Sequence, residues 1–158
     1  MDDPYVALHS LQESHESIVN CVTFSPMGQY LATGDDSGAI RIWDPQDASL
    51  LYSIDTGSPV LCLEWNPTRL TQLFFGCQSG TAAYITGFSE VSTRVRDHSP
   101  PHFRSLQKTV AHPIKTGVQG AHVYAIVIDR QAVRLGLSIG PEVHIVSRLN
   151  DGRSCQCQ

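Results

Sequence analysis

Charge is scarce in this chain of 158 residues. Only 16% of positions are Asp, Glu, Lys or Arg, and the acidic ones prevail, giving a net charge of −4 and a pI near 5.9. A surface without basic excess offers little to a phosphate backbone or an anionic bilayer, so neither nucleic acid nor membrane is expected as a partner. Long apolar runs are missing too: none approaches the roughly 18 residues of a membrane-spanning helix. The first residues, MDDPYVALHS, are acidic where a secretory signal would be basic. These absences predict an intracellular protein, cytoplasmic, with the nucleus left open. Cysteines are few, odd in number and scattered at Cys21, Cys62, Cys77, Cys155 and Cys157. That usage predicts reduced core thiols rather than a disulfide framework.

Signatures of catalysis are equally sparse. His98 and His102 lie four apart but flank Pro100-Pro101, so no helix presents both on one face. With Arg94, Arg96 and Arg104 they read as parts of a solvated loop. His112 and His122 have no cysteine or carboxylate at ligand spacing, and Cys155-Gln156-Cys157 lacks the second ligand pair that a zinc site requires. His144 alternates with Val143 and Ile145 and is expected on the face away from the core. Gly34, Gly38 and Gly80 are explained by hairpin turns, not by a phosphate loop. Asp35-Asp36 reads as turn chemistry, and no nucleophile elbow is expected. The reading is therefore of a non-enzyme with no metal and no cofactor.

What the chain does contain is a repeat. The stretch Val22 to Asp44, VTFSPMGQYLATGDDSGAIRIWD, places an alternating strand before a Ser-Pro-x-Gly turn. A second strand follows, then an acidic Gly turn, then a third strand ending in Trp43-Asp44. A second copy runs through SPVLCLEWNP and QLFFGCQSGTAAYI. Phe24-Ser25-Pro26 aligns with Trp65-Asn66-Pro67 and Ser37-Gly38 with Ser79-Gly80, at offsets of 41 and 42 residues. A weaker third copy predicts strands at Val123–Ile128, Val133–Ser138 and Glu142–Ser147, with turns at Asp129-Arg130-Gln131 and Gly140-Pro141. Between copies two and three, Ser89 to Lys115 reads as a polar insertion, with a short strand at Leu106 to Val110.

The period and the Trp43-Asp44 ending resemble the WD40 repeat, whose unit is roughly 40–45 residues. The resemblance implies an all-β fold, an open, partial β-propeller of about three antiparallel blades with three or four strands each. It also implies a buried network in each blade: a His before the first strand, a hydroxyl in the second, an Asp in the following turn, and the Trp. The first copy matches His15, Thr33 and Trp43 to these slots. The Asp slot holds Ser37, just after Asp35 and Asp36, which leaves open whether Asp36 reaches in or the network is incomplete. The second copy has Thr56 near the His slot and Ile85 at the Trp slot; the third has Gln119 and Val146. Aliphatic replacement is acceptable when all the partners go together.

The expected organisation is an outer strand in 1–13, blades at 14–56, 57–88 and 116–150, an insertion loop at 89–115 and a disordered tail at 151–158. In the family arrangement, the first segment, Tyr5 to Leu11, would close the last blade of a ring. Propellers close with 4–8 blades, so three predict part of a larger propeller, a truncated product or two identical arcs forming one ring. Function by resemblance is a non-catalytic scaffold binding proteins or peptides, through self-association or missing blades as well as other partners. The alternative is a segment of a multidomain enzyme or regulatory protein whose catalytic part lies elsewhere. Rim contacts are expected at Glu16, Ser17, Ile18, Ser58, Pro59 and His122, in the loops before first strands.

Overall fold

In the computed structural model, residues 5–11, 15–69, 71–86 and 110–147 are described, and every regular element among them is a strand. Strands β1 (Val19–Phe24), β2 (Leu31–Asp35), β3 (Ala39–Asp44) and β4 (Ser49–Asp55) form one antiparallel sheet in sequence order. A second sheet orders β5 (Val60–Trp65), β6 (Leu73–Cys77), β7 (Ala82–Thr86) and β8 (Val110–Pro113) in the same way. The third contains β9 (Val123–Ile128), β10 (Arg134–Ile139) and β11 (Glu142–Ser147). The sheets pack through their first strands, β1 against β5 and β5 against β9, as blades in an unclosed row.

Turn chemistry explains the meanders. Ser25 Oγ accepts the Tyr30 amide at 3.0 Å and so closes the first turn of blade one. In blade three, Asp129 Oδ1 accepts the amides of Val133 and Arg134 at 2.8 and 3.2 Å. Such side chains occupy backbone donors that the turn would otherwise leave open.

Two apolar clusters hold the row together, one at each joint. Ile40, Ile42, Val60, Leu63 and Trp65 pack between blades one and two; Cys62, Phe74, Val123, Ile126, Leu137 and Ile139 pack between blades two and three. Each fully buried Ile or Val contributes about 1.5–3 kcal/mol relative to exposure. Trp65 adds a bond from its Nε1–H to the Thr23 carbonyl at 3.2 Å and stacks on Tyr30, joining the first two blades.

The closest approach is made by glycine. A Cβ on Gly34 would stand 2.6 Å from a Val60 methyl, and one on Gly76 would stand 2.5 Å from a Val123 methyl. Gly34 pairs with Cys21, Gly76 with Cys62, and in blade three Ser138 pairs with Ala125 at the same register position. The first valine of each following blade therefore seats in a glycine gap, twice. The third gap is filled by Ser138.

Several expectations change. Residues 5–11 form no strand: no sheet edge among the described residues supplies the ladder that a strand requires, and Val6 and Leu8 are exposed. The insertion expected to reach Lys115 yields β8, which completes the sheet of blade two by pairing with β7. Of the short strand expected at Leu106 to Val110, only Val110 is described, as the first described residue of β8; residues 106–109, most of the insertion and the tail lie outside the described residues. So do His98, His102, Arg94, Arg96, Arg104, Cys155 and Cys157. The face assignment of β11 is reversed: Val143 and Ile145 are 79% and 78% exposed, while His144 is half-buried and stands 3.1 Å from Glu142. The equivalent side of blade one, Ile40 and Ile42, is buried by blade two, and no described blade follows blade three.

Candidate functional site

Blade one brings His15, Thr33, Asp35 and Trp43 together. The Trp43 indole N–H donates to Thr33 Oγ1 at 2.9 Å. Thr33 Oγ1 lies 2.6 Å from His15 Nε2, and His15 Nδ1 lies 2.6 Å from Asp35 Oδ2. An N–H at Nδ1 donated to the carboxylate makes Nε2 the acceptor of the threonine proton, so donation runs from Trp43 through Thr33 and His15 to Asp35. Each group fits this chain because Trp43 opposes Leu31 across β2 and β3, two residues from Thr33 and so on the same face, while His15 reaches in from the loop before β1.

The acid is Asp35, which answers the question left open at Ser37 and Asp36. Its Oδ1 accepts the Ser37 amide at 2.9 Å, the Ser37 hydroxyl at 2.6 Å and the Ala39 amide at 2.9 Å. Ser37 braces the carboxylate instead of replacing it. Asp36 points away, accepting a bond from the Asn20 amide group at 2.6 Å. Burial pushes the Asp35 pKa upward, but the bonds from Ser37, His15 and Ala39 outweigh it and bring the value to about 2. Hydroxyl, imidazole and carboxylate in this order can also serve a nucleophile. Here Thr33 is buried and its oxygen already holds the indole, which leaves no approach for a substrate.

Blade two carries apolar groups at the same ladder positions. Phe75 stands where Thr33 does, Cys77 where Asp35 does, and Ile85 opposes Leu73 as Trp43 opposes Leu31. Thr56 donates its hydroxyl to the carbonyls of Gly38 and Ser58, tying the blade-one hairpin to the next loop. In blade three, Val146 opposes Leu135 in the same manner.

The loops before the first strands lie at one end of the blades. The Asp36 amide donates to Ile18 O, that of Gln78 to Pro59 O and that of Gly140 to His122 O, at 2.9–3.0 Å. Glu16 and Ile18 are exposed and Ser17 is half-buried. Ser58 is engaged, its Oγ accepting the Ser79 amide at 3.0 Å. His122 donates from Nδ1 to the Gln78 carbonyl and meets Tyr124 edge to face. An open groove of about 450 Å³ runs between Asp36, Pro59, Leu61, Gln78, His122 and Tyr124. Of the six expected rim residues, Pro59 and His122 line it; Tyr124 and Gln78 were not anticipated, because strand alternation alone does not mark which exposed residues border a neighbour's loop.

Chemistry elsewhere is muted. Burial pushes the Cys21 and Cys62 thiols up to about 12 and raises that of Cys77, leaving all three free and protonated. No metal-binding group of three or more His, Cys, Asp or Glu occurs among the described residues. Gly136-Leu137-Ser138-Ile139-Gly140 does spell the G-x-S-x-G pattern of a nucleophile elbow, contrary to the expectation that none exists. Ser138 lies inside a ladder between Ala125 and Val143, not on a strand-to-helix turn, so the pattern is a strand and its hairpin. No described helix is long and apolar enough to cross a membrane.

Blades of antiparallel strands in a row, with a Trp–Thr–His–Asp chain inside the first, give the fold of a partial β-propeller of the WD40 type. The family model described as "WD domain, G-beta repeat" matches residues 6–44. In structure the chain is similar to the β-propeller domain of Myceliophteria thermophila Cps50 (Swd1), with a TM-score of 0.67 and 15% identity, covering 85% of this chain and 40% of that one. It is also similar to the C-terminal WD40 domain of Sif2, with a TM-score of 0.62, 8% identity and coverage of 87% and 36%. In sequence it is similar to the ribosome biogenesis protein BOP1 homolog of Leishmania infantum, 29% identical over 107 residues, 65% of this chain and 13% of that protein. Ribosome biogenesis protein BOP1 of Rattus norvegicus is 36% identical over 53 residues, 34% of this chain. The chain thus spans 13% and 7% of the length of these relatives.

Proposed function

We propose that this chain acts inside the cell as a non-catalytic scaffold that binds a protein or peptide across the rim formed by its loops before β1, β5 and β9. One observation carries the reading: the reactive side chains of blade one are consumed in a buried structural chain, while polar and aromatic groups line an open groove at the rim. Ile18 at 70% exposure and Tyr124 at 54% supply apolar contact there, with Asp36, Gln78 and His122 for direction. The relatives named for ribosome biogenesis indicate the process in which to look for the partner.

A photo-crosslinking amino acid tests the surface. Placed at Ile18 on the rim, it should capture a discrete partner that the same group at Met27, in the turn between β1 and β2, does not capture. Equal capture from both positions, or capture from Met27 alone, would refute the rim assignment. Co-sedimentation of the captured partner with pre-ribosomal particles then checks the process.

A further inference from the structure

We propose that the rim groove takes the guanidinium of an arginine presented by a basic peptide, held between the Asp36 carboxylate and the Tyr124 ring. This rests on the rim reading above and gives its partner a chemistry. The groove draws on all three blades. Asp36 follows β2 in blade one, Pro59, Leu61 and Gln78 belong to blade two, and His122 and Tyr124 stand at the start of β9 in blade three. Its volume of about 450 Å³ falls within the roughly 300–1,000 Å³ of ligand clefts. β7 ends at Thr86 and β11 at Ser147, each at the far end of its strand from the Gly80 and Gly140 turns that border this rim.

The polar groups of the groove are fixed before a ligand arrives. Asn20 Nδ2 donates to Asp36 Oδ1 at 2.6 Å and to the Val60 carbonyl at 3.1 Å, which pins the carboxylate to blade two and leaves Oδ2 for a ligand. Tyr124 is more than half exposed and is steadied by its edge-to-face contact with His122, itself bonded to the Gln78 carbonyl. Charge at this end is one-sided. Among the described residues of the rim loops and hairpins, exposed Glu16, Asp36, Asp55 and Glu142 outnumber Lys115. That field draws in a cation and repels a phosphate or carboxylate. Arginine suits the groove better than lysine does. Its planar guanidinium lies on an aromatic face while donating to a carboxylate, and it is more weakly hydrated than an ammonium. The half-buried Pro59 and Leu61 receive its methylene stem.

The test is an amide chemical-shift titration of the 158-residue protein with acetyl-Gly-Arg-Gly-amide and its lysine and glutamate counterparts at equal ionic strength. The arginine probe should give saturable shifts centred on Gln78 and Tyr124, with a dissociation constant of roughly 1 mM that rises with salt. The lysine probe should bind more weakly and the glutamate probe not at all. Asp36→Asn keeps an acceptor for Asn20 and removes the charge, and it should weaken the arginine probe about tenfold; Tyr124→Ala should weaken it about threefold. Unchanged thermal melts, expected because both positions are exposed, establish that the variants fold. Shifts that never saturate, shifts centred away from the groove, equal binding of the glutamate probe, or indifference to Asp36→Asn overturn the proposal. Its failure is distinct from failure of the rim reading. Crosslinking from Ile18 that continues unchanged in the Asp36→Asn protein retires the arginine and keeps the rim.

Discussion

Blade one is closed by four polar side chains, His15, Asp35, Thr33 and Trp43, whereas blade two puts Phe75, Cys77 and Ile85 at the corresponding ladder positions. Both nonetheless present the same outer geometry: each seats the next blade's first valine in a glycine gap. The joint between blades is thus specified separately from the interior of each. A fully satisfied network and a fully apolar replacement are both stable solutions, while a half-converted one leaves buried donors without acceptors. This is why blade two can lose the family's signature and keep its sheet.

The comparison can be broken most strongly in blade two. Phe75→Ala should cost about 3–5 kcal/mol in urea unfolding, from lost apolar contact and the cavity left behind. In blade one, Thr33→Val keeps the shape but leaves the Trp43 N–H and His15 Nε2 unpaired, and should cost about 1–3 kcal/mol. Pairing it with Trp43→Phe should cost less than the two single losses added, because the second change removes one orphan that the first creates. Simple additivity would mean that the bonds do not act as a chain.

Acid sharpens the contrast further. Asp35 titrates at about 2 in the folded chain against an ordinary 3.8. A carboxylate whose folded pKa is depressed stabilises the fold above the unfolded value, and that contribution fades as pH falls through the folded one. About 2 kcal/mol should therefore disappear between roughly pH 4 and pH 2. Asp35→Asn should remove this pH dependence, and Cys77 variants in blade two should leave it intact. The smallest effect is chemical: with thiols held near 12 by burial, Cys21 and Cys62 should resist alkylation in native protein and react once it is unfolded.

Much of this was legible in the residues. Trp43, His15 and Thr33 mark the first blade, and the turns at Asp129 and Gly140 delimit the third, whose first and last strands lie where alternation puts them; its middle strand begins one residue later, at Arg134. The acid was not legible, because spacing from Trp43 points to Ser37 and only the folded turn shows Ser37 donating back to Asp35. The arm at residues 6–11 alternates like a strand, but a strand exists only with a paired edge. The faces of β11 come out reversed, since alternating Val and Ile normally mark the core side, and here no described blade covers that side. The groove at the rim arises from residues distant in sequence, Asp36, Gln78 and His122, which only the stacking of blades brings together.

The most direct test is urea unfolding of three alanine variants in the same turn. The account predicts that Asp35→Ala costs about 3 kcal/mol or more, because His15, Ser37 and Ala39 lose their acceptor. Ser37→Ala should cost about 1 kcal/mol, and the exposed Asp36→Ala less than about 0.5. An Asp36 or Ser37 variant as destabilised as Asp35→Ala would contradict the assignment of Asp35 as the acid that closes blade one.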